Sequence, residues 1–342
     1  MKIFRVGILG ATGMVGQKFV SLLSGHPWFR ITCLAASMNS AGKKYEEAVR
    51  NKWRIEEKIP IGVKKIKVLA VEEDMLEICE KVDLVFCALD MDKEKIKALE
   101  IAYAERGIPV ISNNSAHRLT EDIPMIIPEI NYGHIKLIDI QRKNRGWKKG
   151  LIAVKPNCSI QSYVAILTPL LSYEPQKVLV TSFQSISGAG KNFEMWPEMI
   201  DNVIPYIEGE EEKSENEPMR IWGKIKNNKI EKLKKPIISS ICLRAPVTNG
   251  HMAVVSVKFG KKLDKNKIIN LVEKYNPLKS LNLPSCPDKF IKYFDDVSRP
   301  QLKIDRNFEK GMGITMGRLE KDKIMDWRFV SLSHNTVRGA AG

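Results

Sequence analysis

The segment Gly10-Ala11-Thr12-Gly13-Met14-Val15-Gly16 constrains this chain most. An apolar run over residues 5–9 leads straight into it, and an amphipathic run with Val15, Phe19, Val20 and Leu23 on one face leads straight out. A strand, a glycine-rich turn and a helix start in that order gather backbone N–H groups and the positive end of a helix dipole at one point, which suits a pyrophosphate. Three glycines alone could serve a tight structural turn; the flanking elements favour a dinucleotide site made of Gly10, Ala11, Thr12, Gly13, Met14, Val15 and Gly16.

The pattern around this turn is α/β. Short β-rich runs (residues 5–9, 31–36, 83–89 and 108–112) alternate with helix-period runs (14–23 and 93–106), as in βαβ units wound on both faces of a Rossmann-like parallel sheet. After about residue 156 the strands lengthen (177–186, 237–245, 252–259, 313–319, 324–331), the last two around a turn at residues 320–323, so a second α+β domain with a mixed sheet is expected. Residues 191–235 are polar, rich in Glu and Lys, helix-prone and without a sheet period. A length of 342 residues fits two cores. The expected division is a cofactor-binding domain over residues 1–156, completed by 332–342, and a catalytic and dimerisation domain over 157–331.

The end of the second strand bears on which dinucleotide binds. NAD sites usually carry a carboxylate there for the ribose 2′-hydroxyl. Here the segment runs Ala36-Ser37-Met38-Asn39-Ser40-Ala41-Gly42-Lys43-Lys44, hydroxyls and lysines without a carboxylate. Ser37, Ser40 and Lys43 would accept a 2′-phosphate, which favours NADP; the alternative is an ordinary polar loop.

A net charge of +15 raises nucleic-acid or membrane binding. The lysines, however, are spread along the chain without interleaved aromatics or a nucleic-acid motif, so a solvated surface that steers anionic substrates is expected. No window approaches the roughly 18–20 apolar residues of a membrane span, and residues 1–5 run into a strand rather than a signal peptide; the expected location is the cytoplasm. The six cysteines show no metal-ligand or disulfide spacing, so no metal is expected.

Cys158 has distinctive neighbours. Lys155-Pro156-Asn157-Cys158-Ser159-Ile160 places it between a proline and an apolar helical run, where a helix dipole would stabilise a thiolate. On that feature alone it is a nucleophile or a buried structural thiol. Of five histidines, His251 opens the strand-like run 252–257 after the turn Thr248-Asn249-Gly250, and Arg244 ends the preceding run. Facing each other across one turn, the two would make a carboxylate clamp beside a general base, or a structural hairpin pair.

Together Asn157-Cys158-Ser159, Gln184 in Phe183-Gln184-Ser185-Ile186-Ser187-Gly188-Ala189-Gly190, Glu210-Glu211-Glu212-Lys213, Arg244 followed by His251, and the glycine turn resemble the aspartate-semialdehyde dehydrogenases. The archaeal and fungal branch is the nearest, through Ser112-Asn113-Asn114-Ser115-Ala116-His117-Arg118 and Ser333-His334-Asn335-Thr336-Val337-Arg338-Gly339. The resemblance spans almost the whole chain. It implies reversible, NADPH-dependent reductive dephosphorylation of L-4-aspartyl phosphate to aspartate semialdehyde through a thioester on Cys158, in amino-acid biosynthesis. His251 would be the acid/base, and Asn157 and Gln184 would position nucleophile and acyl group. Arg244 and Glu210 would hold the substrate's carboxylate and ammonium, and Arg118 and Lys213 the phosphate. Ser187, Gly188 and Asn335 would join the cofactor site, and the unit would be a homodimer or homotetramer. On its own, Glu210 to Lys213 is more often a surface ion pair on a solvated helix.

The nearest alternatives are malonyl-CoA reductase and N-acetyl-glutamyl-phosphate reductase, on a similar plan; from other classes, a non-catalytic NADP-binding protein or a basic nucleic-acid binder. The family pattern continues past Arg338-Gly339-Ala340-Ala341 into a helix that packs on the cofactor domain, whereas this sequence stops at Gly342. A chain ending there is expected to bind NADP more weakly or to be less stable.

Overall fold

A computed structural model describes residues 2–342. Its N-terminal sheet joins β1 (Phe4–Leu9), β2 (Phe29–Ala36), β3 (Val68–Ala70), β4 (Leu84–Cys87), β5 (Pro109–Ser112) and β6 (Leu151–Val154), all parallel, in the order β3-β2-β1-β4-β5-β6. This is the doubly wound arrangement expected from the alternation, and its strand order reverses beside β1, where such sheets bind ligands. The helices Met14–Leu23 and Lys93–Glu105 form as expected. The second begins on Asp92, whose carboxylate accepts from Glu94 N and Lys95 N. The short strands β3 and β6 had no period long enough to stand out.

The second sheet holds β7 (Pro175–Gln184), β10 (Ile237–Arg244), β11 (His251–Phe259), β12 (Ile291–Phe294), β13 (Ile314–Lys321) and β14 (Trp327–Ser333), in the order β10-β7-β11-β14-β13-β12. It is mixed: β7 pairs β10 in parallel and β11 antiparallel. Two expectations fail here. Arg244 and His251 do not face each other across a hairpin, because β7 lies between their strands. Residues 191–235 are not free of sheet: β8 (Lys224–Lys226) and β9 (Lys229–Glu231) form a hairpin. Its turn residues Asn227 and Asn228 both adopt positive φ, as a two-residue hairpin loop requires and asparagine tolerates. The turn between β13 and β14 also lies further on than expected. Glu320 remains in β13 and pairs with Arg328, and the chain reverses where Asp322 accepts from Ile324 N and Met325 N.

Alternation along the strands separates the two faces of this sheet. Val178, Val180, Ile238, Cys242, Ala253, Val255 and Val257 are buried on the inner face, against which the helix Gln161–Leu167 packs. Gln184 and Arg244 continue that face at the C-terminal ends of β7 and β10, and His251 opens the antiparallel β11 at the same end of the sheet. Three residues distant in sequence are thereby brought to one edge, facing the start of the 161–167 helix.

Candidate active site

The helix after Cys158 begins at Gln161, three residues later than the cysteine. The expectation that a helix dipole stabilises its thiolate is corrected accordingly: burial pushes the Cys158 thiol up, and the foremost influence opposing it is the Lys155 ammonium. The Sγ of Cys158 lies 3.3 Å from Nε2 of fully buried His251. On the other side of the ring, Nδ1 accepts from the backbone N–H of Ser185 at 3.1 Å. That bond assigns the proton of the neutral imidazole to Nε2, pointing at the sulfur. Burial first, and then the Arg244 guanidinium, push His251 down to about 3.

Arg244 is pinned through its backbone, which exchanges two hydrogen bonds with Ile204, and through Nη1, which donates to Ser185 O at 2.7 Å. The backbone of one residue, Ser185, therefore orients the histidine through its N–H and the arginine through its carbonyl. Gly188 sits against the pair, since a Cβ there would stand 2.9 Å from Arg244 Nη1 and 3.1 Å from the His251 ring. On the other flank, a Cβ on Gly339 would stand 2.8 Å from Cys158 Cβ, so the C-terminal segment packs directly on Cys158.

The helix Glu210–Ile221 supplies a ring of charge. Of the three leading glutamates, Glu210 is the one that enters the site. Its carboxylate accepts from Asn157 Nδ2 (2.8 Å), Gln184 Nε2 (3.2 Å) and Lys213 Nζ (2.8 Å). Burial alone would raise Glu210; Lys213 and these bonds hold it below the usual range. Glu217, two turns on along the same face, accepts from Arg118 Nη1 (2.9 Å) and Asn157 N (2.6 Å). Sequence reasoning missed Glu217, although its spacing from Glu210 carries the signal. Arg118 and Lys213, expected as phosphate ligands, are thus each ion-paired. Lys155, Ser185 and Gly339 were also missed, none having a distinguishing local pattern.

At the same C-terminal end of the parallel N-terminal sheet, after β1 rather than β6, Gly10 has φ +85° and a Cβ on it would collide with Ala88 O at 2.3 Å; a Cβ on Gly16 would meet Gly10 O at 2.1 Å. Only glycine permits this strand, turn and helix to close together. A Cβ on Gly13, by contrast, would meet nothing nearer than Gly10 O at 3.6 Å, and Gly13 caps the helix Met14–Leu23 with its carbonyl accepting from Gln17 N. The carbonyls of Ala11 and Thr12 are bound by Tyr45 and Gln17. A cavity of about 610 Å³ beside the turn is lined by Asn39, Ser40, Lys43, Glu47, Ala48, Arg50, Asn51 and Lys52. Ser40 and Lys43 reach it and Ser37 is not among its lining residues, while Arg50, Lys52 and the carboxylate of Glu47 add charges not anticipated. Ser187 and Asn335 bond to each other at 2.9 Å, and Asn335 Oδ1 also accepts from Gly250 N, which joins the C-terminal segment to the loop before His251.

A doubly wound sheet with a glycine turn, joined to a mixed sheet that brings a thiol, an imidazole and an arginine to one point, is the framework of an NAD(P)-binding oxidoreductase. Residues 5–138 match the family described as semialdehyde dehydrogenase, NAD binding domain, and residues 167–338 its dimerisation domain. An aspartate-semialdehyde dehydrogenase of Archaeoglobus fulgidus is 42% identical over 99% of this chain and 95% of its own length. That of Schizosaccharomyces pombe is 38% identical over 100% and 96%. The crystal structure of the Candida albicans aspartate semialdehyde dehydrogenase with NADP superposes with a TM-score of 0.87 at 34% identity, covering 100% of this chain and 96% of that one. The chain belongs to the aspartate-semialdehyde dehydrogenase family. Among the described residues no helix is long and apolar enough to cross a membrane.

Proposed function

We propose that this enzyme reduces L-4-aspartyl phosphate to aspartate semialdehyde and phosphate, reversibly, with Cys158 as nucleophile. The observation that carries the reading is the 3.3 Å approach of Cys158 Sγ to His251 Nε2 inside the ring formed by Asn157, Gln184, Glu210 and Arg244. The charges support it. Arg118, Lys213 and Arg244 surround the place of a substrate whose carboxylate, ammonium and phosphate sum to about two negative charges, with Glu210 for its ammonium.

In this mechanism the Cys158 sulfur attacks the acyl carbonyl, and phosphate departs past Arg118 and Lys213 to leave a thioester. Arg244 holds the substrate's carboxylate and Glu210 its ammonium. Asn157 and Gln184, tied through Glu210, fix the acyl group beside the sulfur. The residues around the glycine turn fit NADP: Gly10, Ala11, Thr12, Gly13, Met14, Val15 and Gly16 form the turn and helix start suited to a pyrophosphate, with the N–H groups of Gly10, Ala11 and Gly13 spent on holding the turn closed. Ser37, Ser40 and Lys43, with Arg50 and Lys52, suit a 2′-phosphate, and Ser187, Gly188 and Asn335 lie toward the reacting centre. When bound, NADPH supplies the hydride that reduces the thioester. The His251 Nε2–H donates a hydrogen bond to the resulting oxyanion, and collapse of that oxyanion breaks the C–S bond, releasing the aldehyde and the Cys158 thiolate beside the same N–H.

The supported division is residues 1–156 for cofactor, completed by 332–342, and 157–331 for catalysis and dimerisation. The segment Val337–Ala341 packs on the helix Met14–Leu23, and Ala341 joins the core around Val6 and Val20. Leu179, Ile237, Ile241 and Val254 are exposed on the outer face of the mixed sheet and suit the contact of a homodimer or homotetramer. Sedimentation at monomer mass would refute that assembly.

The activity is tested by NADP reduction with aspartate semialdehyde, with and without phosphate. Phosphate-dependent reduction is expected. Turnover restricted to malonyl-CoA would assign the scaffold to a reductase of that substrate.

A further inference from the structure

His251 cannot provide the positive charge that an ionised Cys158 requires. Its Nδ1 is occupied by the Ser185 N–H at 3.1 Å, its Nε2 already carries the proton, and its burial opposes an imidazolium. A thiolate there would face a neutral N–H donor rather than a cation, so its counter-ion must come from elsewhere.

Among the charged groups around the sulfur, Arg118 is compensated by Glu217 and Lys213 by Glu210, and Glu210 itself disfavours a thiolate. Arg244 is bound to Ser185 O and faces the place of the substrate's carboxylate. Lys155 is different. It stands on the same loop three residues before Cys158, it is half-buried, its Nζ donates only to the Pro156 carbonyl at 2.7 Å, and it makes no ion pair among the described residues. That carbonyl holds the ammonium in place without cancelling its charge. Burial pushes Lys155 down to about 8, and Cys158 is the foremost group pulling it back up; in return Lys155 is the foremost group pulling the thiol down. Each favours the charged form of the other.

We propose that Lys155 is the counter-ion of the Cys158 thiolate, a positioning residue that sets how much of the nucleophile is ionised at neutral pH. The proposal rests on Cys158 being the nucleophile. It gives the 155–158 loop a second task beyond orienting the sulfur: the proton of the thiol leaves to solvent, and the charge it leaves behind is balanced within the same loop.

The test is the rate of iodoacetamide alkylation of Cys158, followed on its own peptide between pH 6 and 10, in the full chain without cofactor. Lys155→Gln keeps an N–H donor for Pro156 O and removes the charge; Lys155→Arg keeps the charge. In Lys155→Gln the alkylation midpoint should rise by about one pH unit, a tenfold loss of thiolate at pH 7, and Lys155→Arg should stay near the parent. kcat/KM of the glutamine variant should fall about tenfold at pH 7 and recover as pH rises. Coincident profiles for parent and Lys155→Gln overturn the proposal, as does a loss of rate equal at every pH. A raised KM for phosphate with an unmoved profile also overturns it and makes Lys155 a phosphate contact. Should Lys155→Gln fail to fold by circular dichroism, Lys155→Met gives the same comparison. Failure of the nucleophile reading would appear separately, as turnover retained in Cys158→Ser.

Discussion

The turn at residues 10–16 is built almost wholly from backbone, closed by two glycines whose missing side chains let β1, the turn and the 14–23 helix touch. The cluster around Cys158 is built from side chains contributed by six separate segments, and nearly every one is held by another member: Glu210 by Asn157, Gln184 and Lys213, Glu217 by Arg118 and Asn157 N, His251 by Ser185. A backbone site can be open and solvated yet rigid, because the chain's own conformation forms it. A side-chain site at the junction of two sheets must satisfy buried charges internally. The first should tolerate loss of single polar side chains, and the second should not.

The largest effect expected from breaking the cluster is chemical. Cys158→Ser should lower kcat by at least about 10³-fold while leaving NADP affinity unchanged; retained turnover would remove the sulfur from the mechanism. Next comes Glu217→Ala, which strands the Arg118 guanidinium in a buried site. Breaking such a pair costs about 3–5 kcal/mol, and urea unfolding should show it; a loss below 1 kcal/mol would mean that water compensates the arginine. Gly339→Ala would drive a methyl to 2.8 Å from Cys158 Cβ. Since small misplacements of reacting groups cost up to about 10²-fold, kcat should fall about 10- to 100-fold with little change in KM for NADP, and an unchanged kcat would show that the C-terminal segment gives way freely.

Acid should act on the buried groups in the same direction. Burial holds His251 at about 3 and His117 and His334 at about 4, against 6.5 for a free imidazole. The unfolded chain takes up these protons as pH falls through 6.5 and the folded chain does not until near 4 or below, so stability should be complete above pH 6.5 and decline steadily toward pH 4. Buried Glu100, pushed up from its ordinary value, works against this trend as a single group. Urea midpoints at pH 7.5, 6 and 5 should fall in that order; equal midpoints would contradict the neutral histidines. The smallest effect belongs to the cofactor side, where Lys43→Ala should weaken NADP about fivefold, the size of one exposed phosphate contact. A hundredfold loss by calorimetry would show that this side also depends on single side chains.

The same contrast governs how much could be read from the residues alone. The glycine turn was legible as a local motif because its elements are contiguous, and four of the six parallel strands followed from the alternation around it, β3 and β6 being too short to show a period. Cys158, His251, Arg244 and Glu210 were legible as chemistry-bearing types, and their family resemblance assigned them to one reaction. Their partnerships were not. The short connection between β10 and β11 resembles a hairpin, but strand order depends on packing across the whole sheet, and β7 enters between them. Lys155 is one of 55 basic residues and has no local mark; only its lack of an acidic partner beside Cys158 distinguishes it. Gly339 matters through a contact with a residue far away in sequence, which no local pattern encodes.

Thioester formation on Cys158 can be observed directly by mixing the enzyme with aspartate semialdehyde and NADP in the absence of phosphate and following NADPH in the first turnover. A burst stoichiometric with active sites is expected, with an acyl adduct on the Cys158 peptide by mass spectrometry and steady turnover resuming only when phosphate is added. No burst, or an adduct on any of the other cysteines, would contradict it.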